Sequence, residues 1–204
     1  MSGTRQPVVT GDVAASRQVR RTQQALLHSF ADLILERGYE ALTVRDIIAH
    51  ADVGRSTFYE HFDNKEQLLR LSMMPLMRVL ANAVDEGASL EALRAVLAHF
   101  WKNRCVARGI FGSGTRPIVQ AFLAELIEER LATRTRGAEP PLLPVPLIAS
   151  TLAESELGLL YGWLTSRTPC DSDLIARALS AGTSAAAKAL MSEHGRGARR
   201  PERP

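Results

Sequence analysis

From about Arg17 to Met191 apolar residues recur at helical spacing, and no run alternates β-branched with polar residues over the length of a strand. That single period restricts the chain to helices that each bury one stripe against other helices. We therefore expect an all-α fold of about nine helices. The first reads from Arg17 to Arg37, with Leu26, Phe30, Leu33 and Ile34 on one side and Gly38 beyond its end, where glycine accepts a left-handed cap. Thr43 opens a second, with Asp46 three residues on at capping-box spacing. Val44, Ile47, Ile48 and Ala51 give that helix one core-facing stripe. Asp52-Val53-Gly54 should then break it, Val53 packing inward and Gly54 supplying the turn.

A short third helix is expected from Arg55 to His61. Asn64 and Gln67 are placed to cap a fourth, which starts beside Lys65 and carries Leu68, Leu69, Met73 and Met77. Pro75 lies near its middle and should kink it, since it removes one backbone bond and crowds the preceding turn. Further on, the spacing predicts a helix from Leu90 to about Val106, a glycine-rich connection, a helix from Pro117 to about Arg134 and a break at PPLLPVP. Two long C-terminal helices should follow, Pro146 to Arg167 and Asp173 to His194. Residues 1–16 read as a disordered arm and 195–204 as a disordered basic tail.

Composition narrows the functional classes. The net charge of +3 suggests nucleic acid until it is located: residues 1–70 hold nine basic against nine acidic side chains, residues 71–195 twelve against twelve, and residues 196–204 four against one. Global charge therefore does not argue for DNA, and any such argument must rest on local arrangement. Cys105 and Cys170 stand far apart, with no His at ligand spacing, so neither a disulfide framework nor a metal site is expected. The N-terminal residues lack the apolar core of a signal peptide, and the charge-free stretch Pro140–Ala153 contains four prolines. We expect a cytoplasmic chain with no membrane segment. The glycine loop GIFGSG at 109–114 has no preceding strand and no GK[ST], and GxSxG and HExxH are absent. An enzyme is therefore not expected, and no cofactor is implied.

Local arrangement is informative at residues 51–69, ADVGRSTFYEHFDNKEQLL, where three of the chain's eleven aromatic residues fall inside five positions. Two helices joined by a short turn, the second rich in small hydroxyls and Arg, is the unit that lays a recognition helix in the DNA major groove. Phe58 and Phe62 can anchor one face while Arg55, Ser56, Thr57, Tyr59 and His61 ring the other. Arg55 suits bidentate pairing with guanine, and Tyr59 and His61 have the reach for phosphate oxygens. Lys65 opposes the dipole of the helix it begins, a sign that an arriving phosphate would reverse. The same shape also occurs as plain helical packing, in which Tyr59 would be a core residue and Lys65 a solvated neighbour of Glu66.

The run TVRDIIAHADVGRSTFYEHFDNKEQLL, residues 43–69, preceded by LLHSFADLILERGYEAL, resembles the DNA-binding domain of the tetracycline-repressor (TetR) family of bacterial transcription regulators. The likeness covers residues 18 to about 70. It implies a helix-turn-helix domain at 17–64, a helical regulatory and dimerisation domain at 65–194, and a ligand-released repressor that holds a palindromic double-stranded DNA operator as a homodimer. By position, Thr43 and Arg45 resemble the family's DNA-backbone contacts, Arg55, Ser56 and Thr57 its groove-facing residues, and Tyr59, His61 and Lys65 its phosphate contacts. Gly54 departs from the pattern, since Ser is frequent there, and leaves the recognition helix without a side-chain cap.

Beyond residue 70 the residues alone must decide. Thr151, Ser155, Gly158 and Gly162 line one side of the eighth helix, and Ala178, Gly182, Ala185 and Ala189 one side of the ninth. Such stripes let backbones approach closely, as in a four-helix bundle across a two-fold axis. They would equally serve a hairpin packed within one chain; the need for two reading heads, roughly 34–36 Å apart, favours the dimer. A small-molecule effector would lie among Met73, Met77, Phe100, Trp101, Phe111, Phe122 and Trp163, each of which could also be plain core. An effector that tilted the fourth helix about Pro75 would couple its site to the operator.

Overall fold

A computed structural model of the chain describes residues 10–112, 114–134, 140–166 and 170–192, with the side chains of 10–16 and 134 outside that description. Among these residues there are helices and no strand. In chain order they are α1 (Thr10–Arg37), α2 (Val44–Ala51), α3 (Arg55–His61) and α4 (Lys65–Ala81), then a 3₁₀ turn at Asn82–Val84. They continue as α5 (Leu90–Lys102), α6 (Arg104–Gly112), α7 (Arg116–Arg134), α8 (Val145–Thr165) and α9 (Ser172–Met191). The expected all-α class therefore holds. The chain divides into two compact units within α4, between Ser72 and Met73.

In the first unit Leu26, Phe30 and Leu33 of α1 pack with Leu42, Ile47, Phe58, Phe62, Leu68 and Leu69, all essentially buried. Both expected caps form. The Thr43 hydroxyl accepts from Asp46 N at 3.2 Å while Asp46 Oδ2 accepts from Thr43 N at 2.9 Å, and Asn64 Oδ1 accepts from Gln67 N at 3.0 Å. Two expectations need correction. α1 begins at Thr10, so residues 10–16 extend the helix: Val13, Ala14 and Ala15 carry nothing that stops it. The left-handed residue of the α2–α3 turn is Asp52, at φ 51°, while Gly54 is extended at φ −67°. Aspartate tolerates that conformation, so glycine's freedom is not what makes the turn.

In the second unit α8 packs most extensively on α7 and also meets α6 and α9, while α5 lies on α9. α8 buries Ile148, Leu152, Leu157 and Leu160, and α9 buries Ile175 and Leu179. The single helix expected over Leu90–Val106 is two, because the chain turns at Asn103, whose φ of −106° and ψ of 31° end α5. The expected glycine-rich connection is largely helix: Gly109 and Gly112 lie within α6. A Cβ at Gly112 would collide with the Tyr161 ring, so this glycine admits a ring rather than makes a turn. α4 runs on through Pro75, and no helix among the described residues is long and apolar enough to cross a membrane. The expected basic tail at 195–204 and residues 1–9 of the arm lie outside the described residues.

Candidate functional site

α3 has seven residues, too few to be stable alone, and is held by its rings. Phe58 is fully buried and Phe62, at its C-cap, nearly so, their centroids 5.9 Å apart. That fixes the rotation of the helix and turns Arg55, Ser56, Tyr59 and Glu60 to solvent, with Thr57 and His61 half-buried beside them. Tyr59 is 48% exposed, so it is not a core residue. Its ring stands edge-on to Phe58 at 5.2 Å, and the Arg55 guanidinium lies 5.7 Å from its centroid. Arg55 is thus loosely tethered on its own helix while its five donors remain free to reach outward. Gly54 gives α3 no side-chain cap, as expected.

Thr43 and Arg45 stand exposed at the start of α2. The Thr43 hydroxyl, followed by its backbone N–H, holds the Asp46 carboxyl below the usual carboxylate range, with Arg37 and Arg45 adding to the effect. Lys65 has a use that the sequence did not suggest. Its Nζ donates to the carbonyls of Tyr39 at 3.1 Å and Leu42 at 3.0 Å, and lies 4.2 Å from the Tyr39 ring centroid. Two of its three N–H groups are committed within the unit, so it fastens the α1–α2 turn to the start of α4. Burial, with the nearby charges of Glu66 and Glu40, pushes the Tyr39 hydroxyl up to about 12, which keeps that ring neutral under its cation.

In the second unit the expected effector wall separates into two groups. Met73, Met77, Phe100, Phe111 and Phe122 are buried, Phe100 and Phe111 edge-on at 5.1 Å. Trp101 is 42% exposed and stacks on buried Trp163 at 5.1 Å, with the Arg104 guanidinium 5.5 Å from its ring. The two indoles border a cleft of about 680 Å³ with Lys102, Cys170, Asp171 and Leu174. Trp163 Nε1 donates to the Cys170 carbonyl at 2.9 Å.

All eight residues of the small stripes, Thr151, Ser155, Gly158, Gly162, Ala178, Gly182, Ala185 and Ala189, are exposed. A Cβ placed on Gly158, Gly162 or Gly182 would meet nothing within 4 Å, so these glycines do not serve packing inside this chain. Leu147, Leu159, Tyr161 and Leu174 on the same two helices are also exposed.

One residue escaped the sequence reading. Glu156 on α8 is 2% exposed, and neither carboxylate oxygen has a hydrogen-bond partner. Burial pushes its pKa up to about 8; the Thr183 hydroxyl on α9 lies near enough to offset a little of this without forming a well-shaped hydrogen bond. The signal was present in the period: Ala149, Leu152, Ala153, Leu157 and Leu160 are the buried stripe of α8, and Glu156 falls on it whereas Glu154 does not.

Residues 26–71 match the family model described as bacterial regulatory proteins, tetR family. The chain is 42% identical over 70 residues to an HTH-type transcriptional regulator of Bacillus subtilis, a match covering 34% of this chain and 18% of that protein. It is 38% identical over 90 residues to the HTH-type transcriptional repressor KstR2 of Rhodococcus jostii, covering 40% and 43% respectively. The matched segment thus spans less than half the length of these relatives. In fold, the chain resembles a TetR transcriptional regulator from Streptococcus agalactiae with a TM-score of 0.56 at 24% identity, over 85% of this chain and 99% of that one.

Proposed function

We propose that this chain, whose residues 26–71 match the model of the tetR family of bacterial regulatory proteins, is an effector-responsive transcriptional repressor of that family, gripping a palindromic operator as a homodimer. In this reading Arg55, Ser56 and Thr57 enter the major groove, Arg55 pairing with a guanine edge, while Tyr59, His61, Thr43 and Arg45 contact the DNA backbone. Lys65 acts indirectly, by holding the α1–α2 turn that presents Thr43 and Arg45. The exposed small stripes of α8 and α9 form the self-complementary face, since glycines that nothing in their own chain approaches leave room for a second backbone. A small-molecule effector acts on the second unit.

What carries the DNA half of the reading is the outward rim of α3, six hydrophilic side chains, four exposed and two half-buried, on a helix whose rotation two buried rings determine. The test is a gel shift of a palindrome from the gene's own upstream region across a salt series. Specific binding should weaken steeply as salt rises, because phosphate contacts release counterions. Arg55→Ala should lose about 1–3 kcal/mol of discrimination with little change in salt slope. Binding indifferent to sequence and to Arg55 would sink the operator reading, and a monomer in sedimentation at micromolar concentration would sink the dimer.

A further inference from the structure

Resting on the regulator reading above, we propose that the effector carries a positively charged nitrogen, an ammonium or amidinium on a hydrophobic frame, and that Glu156 is its counter-ion inside the second unit. Within one turn of Glu156 on α8 stand Leu152, Ala153 and Leu160, and within one turn of Thr183 on α9 stand Leu179 and Ala187. All five are buried, and none has a side chain able to donate a hydrogen bond. On α8 and α9 the buried neighbours one turn away are thus hydrocarbon, the Thr183 hydroxyl lies nearby, and neither carboxylate oxygen has a hydrogen-bond partner. A leucine or methionine would fill the same volume without desolvating a polar group, and would make the empty fold more stable. A buried carboxyl that no protein group answers points to a partner absent from the chain itself.

The chemistry of that partner follows from what a buried carboxyl can bind. A carboxylate effector would have to sit beside the proton that the empty site keeps near neutral pH and would be repelled once Glu156 ionised, and a neutral hydroxyl would add only one uncharged hydrogen bond. A cation with N–H donors both neutralises the charge and satisfies the oxygens. Thr183, which can donate to one carboxylate oxygen or accept from the effector nitrogen, would complete the polar pole. The buried Phe100 and Phe111 give the same unit an aromatic interior.

Three naphthalenes of one frame test this on the full chain by titration calorimetry: 2-naphthylmethylamine, 2-naphthylmethanol and 2-naphthoate. The amine should bind at least about tenfold more tightly than the alcohol, since one charge-assisted contact differs by that order, and the naphthoate should be the weakest of the three. In Glu156→Gln the amine's advantage over the alcohol should disappear. Glu156→Met should raise the unfolding midpoint by about 2–4 °C, the shift that relief of one buried polar group gives a chain of this size. The site is refuted if the alcohol or the naphthoate binds as well as the amine, if none of the three binds, if the Glu156→Gln chain keeps the amine's advantage, or if Glu156→Met lowers the midpoint. Operator binding by the wild-type chain is scored separately: its absence would remove the regulator reading while leaving a measured amine preference intact.

Discussion

The two units place their polar groups by opposite rules. The first follows convention, with rings inside and every hydrophilic residue of α3 at or near the surface. The second inverts it twice: a carboxyl without a partner lies in the interior, while leucines, glycines and alanines of α8 and α9 face solvent. A hydrophilic rim is complete without its ligand, because water substitutes for phosphate until DNA arrives. A buried carboxyl and a bare apolar face have no such substitute, and each destabilises the isolated chain. The head therefore gives its evidence of function through the types of its residues, and the second unit through residues that stand in the wrong place.

Phe58→Ala attacks the conventional half at its strongest point. Removing a fully buried ring should destabilise the first unit by about 3–5 kcal/mol, measured by urea unfolding, and operator binding should vanish with it. An α3 that kept its helicity and its operator without the ring would mean that something else sets its rotation. The inverted half has a pH signature of somewhat smaller size. A folded-state pKa raised to about 8 means that the native chain holds a proton on Glu156 which the unfolded chain has already released. The contribution of this group to the stability of the effector-free protein should therefore be fullest below the ordinary carboxyl range, fall by on the order of a few kcal/mol as pH climbs through that range to about 8, and change no further above it. Glu156→Gln should flatten this part of the profile; a profile unchanged by that substitution would place the carboxyl in contact with solvent.

The head was legible because its determinants are local. The Thr43–Asp46 and Asn64–Gln67 caps, the Phe58–Phe62 pair and the bounds of α3 all involve residues within four positions of one another, and each formed as spaced. What the sequence hid was settled at a distance. The use of Lys65 depends on carbonyls 26 and 23 residues earlier, and that of Gly112 on a ring on another helix, so neither could be read from neighbours. The break between α5 and α6 at Asn103 was hidden by an apolar period that continues across it. Glu156 is a different case, since its place on the buried stripe was readable and its charge argued against the place. Size and hydrophobicity also do not distinguish Phe100, which is core, from Trp101, which lines an open cleft, so the sequence could not divide the expected effector wall.

Lys65→Met sharpens the contrast at the smaller end of the scale. Loss of two charge-assisted bonds to backbone carbonyls should destabilise the first unit by about 1–3 kcal/mol, read as a lower unfolding midpoint. If the ammonium works inside the protein, operator binding should weaken through that loss of order with the salt slope unchanged. A slope reduced by about one unit would instead return Lys65 to the phosphate contacts.

The least disruptive change is Gly54→Ser. Gly54 has the extended backbone of an N-cap, and a Cβ there would meet only the Thr57 and Ser56 hydroxyls at 3.8 and 4.0 Å, ordinary contact distances. A serine oxygen would accept from an amide in the first turn of α3, for a gain of a few tenths of a kcal/mol over glycine. The gain should appear as slower hydrogen exchange in α3 of the free protein. Its effect on operator affinity decides whether α3 orders before or during docking. If the helix frays when free, capping it beforehand removes an ordering cost and tightens binding slightly. If the two rings already hold all seven residues, exchange slows without any change in affinity.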